Sequence, residues 1–475
     1  MNIPRSLVFI LLMLFTNATF SQIERLVADN ALRGSSISGI LVDVITEEEL
    51  ESFQKDVLLC PASLWKLATA SGALEALRED FRFSTSLVYS GELREGVLYG
   101  DLIIVGSGDP TLGSNHFGSD LDEVMDSFLS MVKEAGIDSI TGYIVGNGAH
   151  LKGPTIPGSR AWEDMGNYYG SGIHGLNIND NTYFVSFSTP NEPGSEAKVL
   201  KVFPEVPGLR IQSEVKSSKI QSDQAYIFGS PLESKRIIRG TLPLGRDRFV
   251  IKGSIPDPAL FAAFHLHEAL LESGIQSIGY KSEINQFREP ITLQTVGSIQ
   301  SITLGEMVAY LNLKSDNLIA EGLLLQLGAK KGDASIEGGK EALEDYLKEV
   351  WGENSNFYFY DGSGLSRFTA VSAGQIAQLL LKLRSKDLTK TYLLDKLPLA
   401  GKEGTARWFG YNNNLAGNIR LKSGSMKNVK AFAGILNTYS GRELAFAIMI
   451  NNYDLTGAEI RKRIEDWLLS AYAKY

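Results

Sequence analysis

Between Pro61 and Leu77 the chain is apolar on nearly every side, with Leu64, Trp65, Leu67, Ala68, Ala70, Ala73, Leu74, Ala76 and Leu77 spread around a helical wheel. A helix of that composition has to be enclosed by other elements, so it marks the centre of a domain. Pro61 suits the entry to such a helix, where its missing N–H is not needed. Two residues stand out in the stretch, Ser63 and Lys66. Spaced by three, they share a face one turn apart. An ordinary lysine, with a pKa of about 10.4, is a poor base at neutral pH. Burial against apolar neighbours, or a second cation nearby, favours the neutral amine, which can then take the serine proton.

S-x-x-K alone recurs by chance in many helices. It gains weight from two further motifs that follow in order, Lys314-Ser315-Asp316-Asn317 as S-x-N and Lys422-Ser423-Gly424-Ser425 as K-[ST]-G. With these three motifs the chain resembles the penicillin-recognising serine peptidases. Within them it is similar to the D-alanyl-D-alanine carboxypeptidase/endopeptidase family of class C low-molecular-mass penicillin-binding proteins. Secondary matches are Gly108-Asp109-Pro110-Thr111-Leu112, Asp361-Gly362-Ser363-Gly364-Leu365-Ser366-Arg367 and Pro398-Leu399-Ala400-Gly401, and the resemblance runs from about residue 36 to the C-terminus.

Each later motif has a chemical and a plainer reading. Ser315 and Asn317 alternate about Asp316, so in a loop they can face one way and Asp316 the other. The resemblance implies that Ser315 helps pass the proton to the leaving amine, that Asn317 holds the substrate backbone, and that Asp316 is a structural support. The plainer reading is a helix cap made by Ser315 or Asn317. Lys422 closes a strand predicted over Asn418 to Lys422; it can pair with a substrate carboxylate, and its charge helps keep Lys66 neutral. Gly424 leaves room for a substrate backbone. Ser423 stands where threonine is usual; the hydroxyl is retained, so carboxylate binding should survive. The plainer reading here is an edge strand guarded by lysine. By resemblance the oxyanion hole belongs to the backbone N–H groups of Ser63 and Ser425. Trp162-Glu163-Asp164-Met165 is similar to a W-x-D-M stretch of the family whose aspartate borders the cleft, which makes Asp164 a candidate substrate contact; otherwise it is an exposed loop acid.

Composition excludes several classes. The formal net charge of −9 and the lack of basic patches with interleaved aromatics argue against a nucleic-acid partner. Residues 1–21 read as an export signal: Arg5, then an apolar run from Leu7 to Phe15, then Thr19 and Ser21 before Gln22. The apolar run is shorter than the roughly 20 residues a membrane span needs. Cleavage is therefore expected, with no stable membrane span afterwards and a periplasmic or cell-wall-associated location. Cys60 is the one cysteine, so an internal disulfide is excluded, and it is expected to be a small buried apolar side chain. Of the five histidines only His265 and His267 hint at a metal, and their i, i+2 spacing points them to different helix faces. Neither metal nor organic cofactor is expected. A G-x-S-x-G elbow is missing, and the glycine-rich pieces do not precede a lysine as in a phosphate-binding loop.

The expected fold class is α+β, an antiparallel sheet flanked by helices (β-lactamase/transpeptidase-like). Ser38 to Val44 opens it as a strand; Lys430 to Asn437, Glu443 to Asn451 and a helix over Ala458 to Ala473 close it. Ser63 and Ser315 lie 252 residues apart (63 to 315), so roughly 200 residues must leave the catalytic domain and return. The expected organisation is a discontinuous catalytic domain, residues 22–85 and 286–475. A large mixed, β-rich insertion occupies residues 86–285, as one domain or two nested ones. Within it, helices are expected over Asp120 to Ala135 and Pro258 to Ser273, with short strands between them.

The resemblance implies a serine-type D-Ala-D-Ala carboxypeptidase, with endopeptidase action open beside it, working on peptidoglycan stem peptides through an acyl-enzyme on Ser63. β-Lactam antibiotics would be covalent inhibitors. The rivals are a β-lactamase or esterase on the same scaffold and a non-catalytic cell-wall-binding relative; a homo-oligomer is neither required nor excluded.

Overall fold

The computed structural model describes residues 22–284 and 293–475. The expected export signal, residues 1–21, and the expected end of the insertion at residue 285 lie outside the described residues. The chain divides into two compact units. Of the described residues, one comprises 22–61, Ala370–Lys382 and Leu397–Tyr475; the other lies within Ala62–Thr369 and Leu383–Lys396.

The first unit carries a five-stranded antiparallel sheet in the order Ile419–Met426, Val429–Asn437, Glu443–Asn451, Ser36–Asp43, Glu49–Phe53. Glu443–Asn451 is central and buried from Leu444 onward, which explains its continuous apolar sequence. Leu444, Phe446, Ile448 and Ile450 alternate onto the face packed with Ile460, Ile464, Trp467 and Leu468 of the Gly457–Lys474 helix. Thr456 and Glu459 start that helix with reciprocal capping bonds. Buried Glu51 is satisfied from several elements at once, accepting from Ile23 N at 3.0 Å, Trp467 Nε1 at 3.1 Å and the Tyr475 hydroxyl at 3.2 Å. Cys60 is half-buried, a correction to the buried side chain expected of it. The α+β class expected from the sequence is the one observed.

The second unit contains the Lys66–Leu77 helix, buried from Lys66 to Leu74, with the Leu304–Lys314, Asn317–Lys330 and Ile336–Trp351 helices. It also holds a five-stranded mixed sheet in the order Gly279–Glu283, Tyr143–Asn147, Leu102–Val105, Ser84–Tyr89, Gln294–Gln300. The helices Leu121–Glu134 and Pro258–Glu272 share a core with that sheet. Two three-stranded sheets follow, one centred on Thr182–Thr189 and the other on Lys235–Pro243. The β-rich stretch expected over Val97 to Val105 is two strands in different sheets, Val97–Tyr99 and Leu102–Val105. Gly100 marks the break, where a Cβ would lie 1.8 Å from Ser90 O.

Candidate active site

Ser63 does not sit on the α-helix itself. Ala62–Trp65 form a 3-10 turn that runs into the helix at Lys66. Ala62, just before the serine, is left-handed at φ 48°, a conformation costly for a residue with a Cβ and one that persists only where its surroundings impose it. The 361–367 motif packs directly against Ala62. Gly364, at φ 72°, lies so close that a Cβ there would be 2.2 Å from Ala62 O.

Lys66 is fully buried, and its ammonium has three acceptors: Ser63 Oγ at 2.9 Å, Asn317 Oδ1 at 2.6 Å and Ser363 O at 2.7 Å. The amide of Asn317 is oriented by its other end, since Nδ2 donates to Tyr169 O at 2.7 Å and leaves Oδ1 facing the amine. This arrangement has a chemical consequence. A neutral amine keeps two N–H groups and gains a lone pair, and Asn317 Oδ1 and Ser363 O can only accept. The lone pair is therefore left for Ser63, whose hydroxyl is the one partner able to donate. Burial pulls the Lys66 pKa down to about 8, against the opposing pull of Asp361, Glu321 and Asp316.

The S-x-N segment joins two helices. Ser315 is left-handed (φ 62°, ψ 39°) and ends the Leu304–Lys314 helix. Asp316 is the N-cap of the next helix, its Oδ1 accepting from Ile319 N at 2.9 Å, and Asn317 is that helix's first residue. The N-cap is therefore Asp316, while Ser315 is the C-cap of the preceding helix and Asn317 caps neither. Ser315, Asp316 and Asn317 line a cavity of about 400 Å³ with Tyr168, Tyr169 and Tyr310.

Asp164 lies on the short Trp162–Met165 helix and accepts from the Tyr169 hydroxyl at 3.1 Å. Tyr169 thus touches Asp164 through its side chain and Asn317 through its carbonyl. Burial raises the Asp164 pKa, opposed by that hydrogen bond and by Arg160 and Arg367.

The third motif is in the other unit. Lys422, Ser423, Gly424 and Ser425 occupy the middle and end of the Ile419–Met426 edge strand, longer than the expected Asn418 to Lys422. The Pro398-Leu399-Ala400 stretch pairs along Ile419 to Leu421, and the motif follows it on the edge. Ile419 and Leu421 face the C-terminal helix core, so alternation puts Lys422 and Gly424 on the opposite face. Lys422 is buried, its Nζ 3.1 Å from Ser423 O, while Ser425 accepts from Lys430 Nζ at 2.6 Å.

Two participants were not expected from the sequence. The Ser363 carbonyl is main chain and has no sequence signature. Glu321 binds Gly362 N at 2.9 Å and Ser363 Oγ at 2.6 Å. Its signal was present, a single carboxylate within the apolar run from Leu318 to Leu327, where a charge must be paired. Asp109 of the 108–112 motif is structural; it is buried and accepts from Thr111 N and Oγ1 at 2.8 and 2.7 Å. His265 and His267 diverge, to Glu205 O and to Ser277 Oγ.

Residues 19–471 match the D-Ala-D-Ala carboxypeptidase 3 (S13) family. The chain belongs to that family. It is a serine-type D-Ala-D-Ala carboxypeptidase. It is 24% identical to the D-alanyl-D-alanine carboxypeptidase DacB of Haemophilus influenzae, over 96% of this chain and 94% of that one. To the D-alanyl-D-alanine carboxypeptidase of an Actinomadura species it is 27% identical, over 91% and 80%. The crystal structure of penicillin binding protein 4 (dacB) from Haemophilus influenzae has the same fold, with a TM-score of 0.82 at 24% identity over 95% of this carboxypeptidase and 98% of that chain. The same protein complexed with a novel β-lactam gives 0.77 at 23% identity, with the same coverage. No described helix of the carboxypeptidase is long and apolar enough to cross a membrane.

Proposed function

We propose that the carboxypeptidase cleaves the terminal D-Ala from peptidoglycan stem peptides through an acyl-enzyme on Ser63. The Ser63 hydroxyl gives its proton to neutral Lys66 Nζ as Oγ attacks the penultimate D-Ala carbonyl. The resulting oxyanion is held by the backbone N–H groups of Ser63 and Ser425. The C–N bond then breaks, and the proton passes by way of Ser315 to the departing D-Ala amine. Water attacks the ester, returning the hydroxyl to Ser63 and releasing the shortened peptide. Lys422 and Ser423 take the terminal carboxylate, and Asn317 and Gly424 accommodate the substrate backbone, which can lie along the edge strand. The observation that carries this reading is the Lys66 amine, whose lone pair is left to Ser63 alone by two obligate acceptors.

The substrate implies export to the periplasm or cell wall. β-Lactams are covalent inhibitors in this reading, and the relative solved with one supports it. The insertion, residues 86–285, forms two nested domains that screen substrates. Asp164 contributes by meeting the free amine of a diamino-acid side chain, which extends the reading to the crosslinked peptides of endopeptidase action. The test is incubation with labelled penicillin and mass mapping of the adduct. One penicilloyl group on Ser63, absent from folded Ser63→Ala, is expected; an adduct elsewhere, or one that survives the substitution, refutes the mechanism.

A further inference from the structure

Arg160 belongs to the insertion, yet its side chain is 1% exposed and reaches two carboxylates distant in sequence: Nη2 is 3.1 Å from Glu321 Oε1 and 3.4 Å from Asp361 Oδ2. Those carboxylates are equally buried, at 2% and 0%. Their remaining capacity goes into the 361–366 loop. Glu321 accepts from Gly362 N and from Ser363 N and Oγ, while Asp361 accepts from Gly364 N at 2.9 Å and Ser366 N at 2.8 Å. This loop supplies the Ser363 carbonyl that Lys66 Nζ contacts. Burial first, and then repulsion from nearby Glu321, pushes the Asp361 pKa up. Arg160 is the cation that opposes this repulsion.

The same three charges face Lys66. Around its amine stand Glu321 and Asp316 from the S-x-N helix and its cap, Asp361 from the loop, and Arg160 from the insertion, beside uncharged Ser63 and Asn317. The carboxylates favour the ammonium, and Arg160 works against them.

We propose that Arg160 is a positioning residue for acyl transfer. It holds Glu321 and Asp361 together so that their loop presents the Ser363 carbonyl to Lys66, and it offsets the negative charge that would otherwise keep that amine protonated. Arg160 touches neither Lys66 nor Ser63 by hydrogen bond and acts through the loop and the field. The inference rests on the reading of Lys66 as base, and it gives part of the insertion a role in the chemistry as well as in substrate choice.

The experiment is the pH dependence of the second-order rate of penicillin acylation, between about pH 5 and pH 10, for wild type, Arg160→Gln and Arg160→Lys, with the melting temperature of each measured alongside. Removing the cation favours protonated Lys66, so Arg160→Gln should move the acid limb upward by about one pH unit and slow acylation about tenfold at pH 7, with recovery at high pH. Arg160→Lys keeps the charge, so its limb should stay near that of wild type. If Arg160→Gln does not fold, Glu321→Gln carries the test with the opposite sign, since loss of a carboxylate should move the limb down. A limb present in wild type and unmoved in folded Arg160→Gln, or in Glu321→Gln where that variant carries the test, whether or not the rate falls evenly at all pH values, overturns the role of Arg160. A wild type without an acid limb overturns the reading of Lys66 as base, and this inference with it.

Discussion

The two motif lysines are both fully buried, but they come to their places by different routes. Lys422 is placed by strand register: Lys422 pairs with Ala433 and Gly424 with Ala431, so the alternation of one hairpin decides which face each side chain takes. Lys66 is placed locally by its turn and helix, but its chemistry is assembled from far away. Asn317 Oδ1 and Ser363 O lie 251 and 297 residues along the chain, and the charges that bear on the amine come from those same two segments and, in Arg160, from a third. In the proposed reading Lys422 is a carboxylate-binding cation, which needs only its charge held in one place, and Lys66 is a base. A base needs its protonation state set, which takes burial and several counterposed charges at once.

Substituting both lysines in the same way tests that contrast most severely. Arginine keeps the cation but cannot give up its proton in a protein. Lys66→Arg should lose acylation by roughly a thousandfold or more, close to Lys66→Ala. Lys422→Arg should retain carboxylate pairing and lose only about tenfold, well above Lys422→Ala. Stopped-flow acylation with a reporter penicillin measures all four. Substantial acylation by Lys66→Arg would make that residue an electrostatic partner, and equal losses at the two positions would erase the distinction.

A smaller effect is expected at Asp164, one residue removed from the machinery through Tyr169. Asp164→Ala should raise KM or lower turnover severalfold on muropeptides while penicillin acylation stays near wild type, since a monocyclic or bicyclic lactam lacks the diamino-acid side chain. Equal losses on both ligands would make Asp164 a support of the fold, and no loss on either would remove it from substrate binding.

The contrast also explains how much could be read from the sequence. The enclosure of the Lys66–Leu77 helix and the antiparallel ends of the chain follow from periodicity, because local burial leaves a local pattern. The three motifs were visible in order for the same reason, each being a few adjacent residues. The strands Gly279–Glu283 and Gln294–Gln300 were not expected. Both lie at the edges of their sheet and are largely half-exposed or exposed, so they lack the apolar alternation that identifies a strand. Asp316 reads as a support, and a cap at Ser315 or Asn317 is only the plainer alternative, so its own capping bond is not legible. A run of three cap-forming residue types does not say which one takes the extended backbone of the cap. Arg160 left no trace at all, since its partners stand 161 and 201 residues away and nothing in its neighbours requires a buried charge.

The central proposal is that Lys66 acts as a base because burial lowers its pKa to about 8, and the wild-type acid limb tests it most directly. Lys66 is neutral above its pKa, so acylation should rise with pH through a midpoint near 8. Below that midpoint the rate should fall about tenfold per pH unit. A rate that is flat through this range, or a midpoint as high as that of an ordinary lysine, would contradict the account.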